Sequence, residues 1–395
     1  MAHQNNDNNT SLTWGGVAAN KGTPDSTTTA HRRALYLKLF SGELFKGFQR
    51  NTIARDLITK RTLKNGKALQ FIFTGRTNSE FHVPGQNILG NTDGAPPVAE
   101  VTIQCDDLLI SSAFVYELDE VLSHYDLRGE ISKKIGYALA ENYDRRIFRA
   151  ITKAARQASP IQKTNFLEPG GTQVRVGTNA AGTDAYDADA LVNAFYDAAA
   201  ALDEKGVSTD GRVGVLNPRQ YYELIQKVGD SGLINRDEQG EARQRGNGIV
   251  EIAGIKIYKS MNIPFFGRFG TKYGGSGATG TGVTDPGNTG SFVSEDMGNQ
   301  AESASGAPDG QRTVNDYGEG NKFDNSCGLI FQREAGGCVE SIGPQVQVTS
   351  GDVSVIYQGD VILGRLAMGA APLNPAAAVE LIAGIAPNTG VAQAF

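Results

Sequence analysis

Cysteine, histidine and tryptophan are scarce in this 395-residue chain, and long apolar runs are absent. Three widely spaced cysteines, Cys105, Cys327 and Cys338, cannot build a disulfide framework or a zinc knuckle. They read as reduced thiols of a protein made in a cytosol. The four histidines, His3, His31, His82 and His124, have no nucleophile or carboxylate at a catalytic spacing. No stretch approaches the ~18 apolar residues of a membrane span, and MAHQNNDNN has no basic segment followed by an apolar one, so no signal peptide is expected. The phosphate-loop, H-E-x-x-H and G-x-S-x-G motifs are missing too. Gly275 to Gly280 satisfies G-x-G-x-x-G by letter, but no strand precedes it and TGVTDPGNTG cannot open the helix that would receive a pyrophosphate. Asp184, Asp187 and Asp189 lack the order and closing Glu of a calcium loop. Glu117, Asp119 and Glu120 are explained by the dipole of the helix that follows them. Neither a catalytic residue, a metal ligand nor a cofactor site is expected.

What is present is uneven charge and one very long helical signal. The net charge is −6, yet His31 to Lys67 carries +8 and the residues after it −13. Such asymmetry fits either nucleic acid or an arm lying on the acidic body of a neighbouring copy, and the lack of a stacking or base-reading motif favours the arm. From His124 to Arg156 there is no Pro, and Leu127, Ile131, Ile135, Leu139, Tyr143, Ile147, Ile151 and Ala155 recur every fourth residue. That is close to the helical period, with Asp126 as the N-cap. Each step of four overshoots a turn by ~40°, so the stripe creeps round the helix and its two halves should bury against different neighbours. Arg145, Arg149, Lys153 and Arg156 then fall on a side expected to face outward, either as a solvated face complementing the helix dipole or as a surface for a polyanion or acidic partner.

Taken in order, residues 1–30 are polar with nothing to bury and should be mobile. Ala34 to Gln49 predicts a short amphipathic helix, and Arg50 to Lys67 an extended basic stretch with a turn at Asn65-Gly66. Alternation in Ala68 to Thr74 and Val98 to Cys105 predicts two strands of a long hairpin with an irregular tip. A lone ribbon is marginal in water, and no place for it is evident within one monomer. A polar connector follows the long helix. Asp187 should cap a helix from Ala188 to Leu202 closed by Gly206. Arg212 to Leu216 reads as a strand, Asn217-Pro218 as the start of a helix to Val228, and Gly248 to Lys259 as a hairpin turning at Ala253-Gly254. Phe265 to Phe323, with 14 Gly in 59 residues, reads as a surface insertion partly ordered by something else. Strand character returns at Leu329 to Arg333, Val339 to Ile342 and Val346 to Met368, with Val353, Val355 and Tyr357 alternating; Pro375 to Ile385 fits helix or strand.

The segments RALYLKLFSGELFKGFQRNT, GRTNSEFHVPGQNIL, VTIQCDDLLISSAFVYELDEVLSHYDLRGE and YQGDVILGRLAMGAAPLNPAAA, in this order, resemble the major capsid proteins of T7-like short-tailed phages. The resemblance runs from about Ala34 to Leu381, and is poorest over residues 1–30 and 265–323. It implies an α+β, HK97-like capsid fold: residues 1–67 as N-terminal tail and N-arm, 68–105 as the extended E-loop, 106–186 as a peripheral domain with the long helix as spine, 187–331 as an axial domain, 332–368 as peripheral return strands, and 369–395 as the axial return. It also implies hexamers and pentamers of an icosahedral shell around double-stranded DNA, with scaffolding protein and portal as assembly partners, a decoration protein as a further candidate, and no membrane. Assembly is expected in the host bacterial cytoplasm. Inter-subunit contacts are then expected at Arg76, Thr77, Phe81, Pro84 and Gly85 of the E-loop, and interior contacts at Arg145, Arg149, Lys153 and Arg156. An encapsulin-like shell around cargo protein is the alternative on the same fold.

Overall fold

A computed structural model describes residues 53–75, 81–85, 97–106, 108–117, 127–163, 166–178, 183–226, 251–263, 315, 317, 326–348 and 356–383. The expected Ala34 to Gln49 helix and the Asp126 cap lie outside these residues. In chain order the helices are α1 (Ala54–Leu57), α2 (Leu127–Arg156), α3 (Ala188–Glu204) and α4 (Pro218–Gln226). The strands are β1 (Thr59–Thr62), β2 (Ala68–Thr74), β3 (Val98–Gln104), β4 (Leu109–Tyr116), β5 (Gln162–Lys163), β6 (Phe166–Leu167), β7 (Thr172–Val176), β8 (Arg212–Leu216), β9 (Glu251–Ile252), β10 (Ile255–Lys259), β11 (Ser326–Gln332), β12 (Gly336–Val348), β13 (Gly359–Pro372) and β14 (Ala378–Ala383). The described residues fall into two compact units, and α2, β12 and β13 each contribute to both. The division cuts α2 between Asn142 and Tyr143, whereas the expected peripheral domain of residues 106–186 keeps the helix whole.

One unit holds Leu108–Asn142 and Ile342–Ala367. Here β4 runs antiparallel to β13, pairing Leu109 with Leu366 and Tyr116 with Gly359. Ile131, Ile135 and Leu139, on one face of α2, pack against Leu109, Ala113, Val115 and Ile362. Gly364 is required there because a Cβ would run into Ile135. Arg128 ties the start of the helix to Asp360 at 2.6 Å. The expected alternation at Tyr357 fails: Ile356 and Tyr357 are helical and exposed, and the chain turns at Gln358 with φ +50°.

The other unit is built on a six-stranded mixed sheet in the order β7-β14-β11-β8-β10-β9. All five residues of β8 are buried, which explains its unbroken apolar run. Asp187 accepts the Asp189 N–H at 3.3 Å as the N-cap of α3, Asn217 does the same for the Arg219 N–H at 3.1 Å in α4, and Ala253-Gly254 turns the β9–β10 hairpin with both φ positive. The polar connector after α2 contains β7, parallel to β14; its five residues were too short a signal among polar neighbours. Within the expected segment from Pro375 to Ile385, the described residues to Ala383 form a short 3-10 turn (Pro375–Ala377) and the buried strand β14.

In this unit the second half of α2 is enclosed almost all round. The stripe continues through Tyr143, Ile147, Ile151 and Ala155, but Asp144, Arg146, Phe148, Arg149, Ala150 and Thr152 are buried as well. The two halves of the stripe therefore do bury against different elements. The outward basic side does not exist: Arg149 is 2% exposed, Arg156 is buried, and Arg145 and Lys153 are half-buried. For Arg156 the cause is an acidic partner in the core. Arg156 donates from Nε and Nη2 to the two carboxylate oxygens of Glu380, each at 2.7 Å, and Gln173 donates to the same carboxylate at 2.8 Å. Residue spacing marks the sides of a helix but not what covers them.

The basic stretch before the hairpin also departs from expectation. Residues 53–62 lie on their own chain: α1 is followed by β1, which runs parallel to the start of β12 with Thr59 beside Gly337. Arg55 donates to both Glu340 oxygens at 3.2 and 3.1 Å, Lys60 lies 3.9 Å from the same carboxylate, and the Tyr143 hydroxyl donates to it at 2.7 Å. Burial pushes the Tyr143 hydroxyl above its usual range, so it remains a donor. Asp144 accepts the N–H groups of Ile53 (2.8 Å) and Ala54 (3.2 Å), capping α1 from across the unit.

Removing Arg156 alone would leave the Glu380 charge buried with too few donors. Arg156→Met should lower the unfolding free energy of the unassembled subunit by about 3–5 kcal/mol, and Arg156→Met with Glu380→Met should recover most of that loss; denaturant titration of both variants checks it. Burial raises the Asp144 carboxyl to about 6. A raised carboxyl adds stability that is complete below its unfolded value near 4 and is lost as pH rises through about 6. Asp144→Asn should therefore gain stability relative to the parent between pH 4 and pH 7, and a pH-independent difference in urea midpoint would contradict this.

Candidate assembly surface

The hairpin supplies the most conspicuous surface among the described residues. β2 and β3 pair antiparallel in continuous register from Ala68 opposite Gln104 to Thr74 opposite Val98, and the Gly75 N–H donating to Pro97 O at 2.8 Å extends the ladder. Period-two alternation gives the ribbon two unlike faces. On one face Leu69, Phe71 and Ile103 pack with Leu63, Val339 and Ala371 of the same unit, and Gly337 leaves space for the Ile103 side chain. A place for the ribbon within the monomer thus exists after all, for this face. The opposite face carries Gln70, Ile72, Thr74, Val98, Glu100 and Thr102; Ile72 is 76% and Val98 60% exposed. Ile72 sits directly opposite Glu100.

Of the expected contact residues, Phe81, Pro84 and Gly85 are exposed in the 81–85 stretch, where Gly85 takes φ +91°, a conformation that favours glycine. Phe81 is exposed to its full side-chain area. Arg76 and Thr77 lie outside the described residues. Arg145, Arg149, Lys153 and Arg156 do not assemble into a surface, for the reasons above; the exposed cations of α2 are Lys133 and Lys134, in its first half.

At the root of the hairpin lies a polar cluster that the sequence did not reveal. Asp106, two residues past β3, is buried and accepts the Tyr317 O–H at 2.6 Å and both the backbone and side-chain N–H groups of Asn315 at 3.0 Å. Asn315 also donates from its side chain to Gln104 O at 2.9 Å, and the Tyr317 hydroxyl accepts the Ala370 N–H at 2.9 Å. Arg146 of α2 lies 3.5 Å from Asp106 and holds its guanidinium 5.4 Å from the Tyr317 ring centre. Burial beside a carboxylate drives the Tyr317 hydroxyl well above its usual range. Asn315 and Tyr317 belong to the expected surface insertion, yet here both are held by their own chain. An isolated Asn and Tyr within a Gly-rich stretch carry no periodicity, so only the fold brings them to Asp106.

Among the described residues no group of three or more His, Cys, Asp or Glu is placed to hold a metal ion. Cys327 and Cys338 are buried and burial pushes both thiols up, Cys338 to about 12, the opposite of an activated nucleophile. What the arrangement offers is a half-apolar ribbon, packed on one face and open on the other.

A family model described as Gp10A-like major capsid protein matches residues 71–301. The major capsid protein of Escherichia phage T7 is 24% identical over 360 residues, spanning 88% of this chain and 92% of the relative. That of Enterobacteria phage T3 is 31% identical over 124 residues, 31% of this chain and 35% of the relative. Among solved structures, the capsid of the cyanophage P-SCSP1u aligns with a TM-score of 0.67 at 28% identity, covering 90% of this chain and 95% of that one. The mature capsid of bacteriophage PhiM1 shares the fold at a TM-score of 0.60 and 14% identity, over 89% and 92% of the two chains. These findings do not favour the compartment-shell alternative. A chain with this α+β capsid fold and this match over more than half its length belongs to the Gp10A-like major capsid protein family, the phage proteins whose copies form the icosahedral shell of the virion.

Proposed function

We propose that copies of this chain assemble into hexamers and pentamers by laying the outer face of the β2–β3 hairpin on the neighbouring subunit, in the manner of an E-loop. The observation that carries this reading is the exposure of Ile72, Val98 and Phe81 on an element whose other face packs on its own unit. One patch meeting a different patch on the next copy is a heterologous contact, which closes into rings when the rotation permits. Many such contacts of modest area sum to a stable container. Arg76, Thr77, Phe81, Pro84 and Gly85 belong to this contact set.

The shell so formed encloses double-stranded DNA, is assembled with scaffolding protein and a portal in the host bacterial cytoplasm, and in its finished state presents an outer surface on which a decoration protein can sit. In domain terms, residues 1–67 act as N-terminal tail and arm, 68–105 as the E-loop, 106–186 and 332–368 as the peripheral domain, and 187–331 and 369–395 as the axial domain. Residues 53–62 are fastened to Glu340 and Asp144 of their own chain.

Ile72→Lys tests the reading with little risk to the fold, because the new cation stands opposite Glu100 across the ribbon. Monomeric subunits should remain folded, while the yield of closed shells falls by about tenfold or more, as expected for a central apolar contact made charged. Sedimentation and electron microscopy read both. Closed shells at the parent yield would sink the hairpin assignment.

A further inference from the structure

The cluster around Asp106 has a place in the fold that core packing alone does not account for. It joins the last residue of β3 and the two beyond it to α2, to the end of β13 and to residues 315 and 317, all in the same unit. Gly369 passes so close to Gln104 O that no side chain fits between them, and Asp106 N–H donates to Met368 O at 3.1 Å. The hairpin is thereby gripped at its root on one edge.

Along its length the other support is mostly apolar, with Arg61 5.3 Å from the Phe71 ring centre and Gly75, at the far end, close against Ile161 and Glu168. Ile103 is fully buried and Leu69, Phe71 and Phe73 are half-buried, and apolar contact is non-directional, so that this packing fixes the distance of the ribbon from the body better than its direction. Hydrogen bonds to a buried carboxylate are directional and costly to leave unmade. The ribbon of seven paired residues is roughly 24 Å long, so a turn of about 10° at the root displaces its far end by about 4 Å, far outside hydrogen-bond tolerance.

We propose that Asn315 and Tyr317 are positioning residues for shell assembly: acting through Asp106 and Gln104 O, they set the direction in which the hairpin leaves the body. This rests on the reading of the hairpin as the assembly element. The recognition is internal: a buried carboxylate is held by three donors from residues 315 and 317, and the end of the Gly-rich stretch serves as a clasp on the root of the hairpin. Asp106 is saturated by those donors together with Arg146, and the Tyr317 oxygen both donates and accepts.

Two variants of the full chain separate positioning from folding. Asn315→Ala removes the side-chain links to Gln104 O and to Asp106 while keeping the backbone donor to Asp106. Tyr317→Phe keeps the ring beneath Arg146 and removes only the hydroxyl. Amide hydrogen exchange of the unassembled subunit is read separately for 68–74 with 98–104 and for the six-stranded sheet, alongside the yield and shape of shells by electron microscopy. Exchange in the hairpin should rise about tenfold with the sheet unchanged, and closed shells should give way in large part to open or irregular assemblies. Parent-like shells from both variants would overturn the proposal, as would equal loss of protection in sheet and hairpin, the mark of a merely structural role. Failure of Ile72→Lys to reduce assembly would instead remove the hairpin reading on which this rests, so the two failures are told apart.

Discussion

The buried charge along the second half of the long helix is the constraint on which the rest of this subunit depends. Arg156 with Glu380, Tyr143 with Glu340, Arg146 with Asp106 and Asp144 with the N-terminus of α1 each link the helix to a different stretch of its unit. A helix with one apolar face can hold one neighbour; a helix that buries ions as well holds several in defined directions, since a buried ion tolerates only partners that satisfy it. Through these links the helix organises the central sheet at β14, the start of β12, the segment that precedes the hairpin, and the root of the hairpin itself.

That organisation explains why the hairpin can be exposed without being loose. Its inner face packs on its own unit and its root is held by the hydrogen bonds around Asp106, while its outer face is exposed. The division of labour suits a shell protein, in which the subunit must be stable before it meets its neighbours and must keep apolar surface in reserve for them.

Elements governed by local rules were legible in the sequence. β2 and β8 have the bounds their alternation and apolar runs predict, and α3 starts at the Asp187 cap. The turn at Ala253-Gly254 forms where expected. Elements governed by distant partners were not. The Arg145 to Arg156 side reads as outward until Glu380, 224 residues further on, is known to meet Arg156. Residues 53–62 read as a free basic arm until Glu340 and Asp144 receive them. Asn315 and Tyr317 have no neighbours in sequence that mark them, and their partners at 104 and 106 lie more than 200 residues away. The family resemblance supplied the fold and an expected role for the hairpin; it did not supply these ion pairs.

The central claim is that this chain builds a closed shell by covering the outer hairpin face with the next subunit. Electron cryomicroscopy of the purified particles tests it most directly. The account predicts icosahedral particles in which the neighbouring subunit lies against Ile72 and Val98 while Leu69 and Phe71 remain on their own body. Particles in which that face looks onto solvent, or a purified protein that forms no shells, would contradict it.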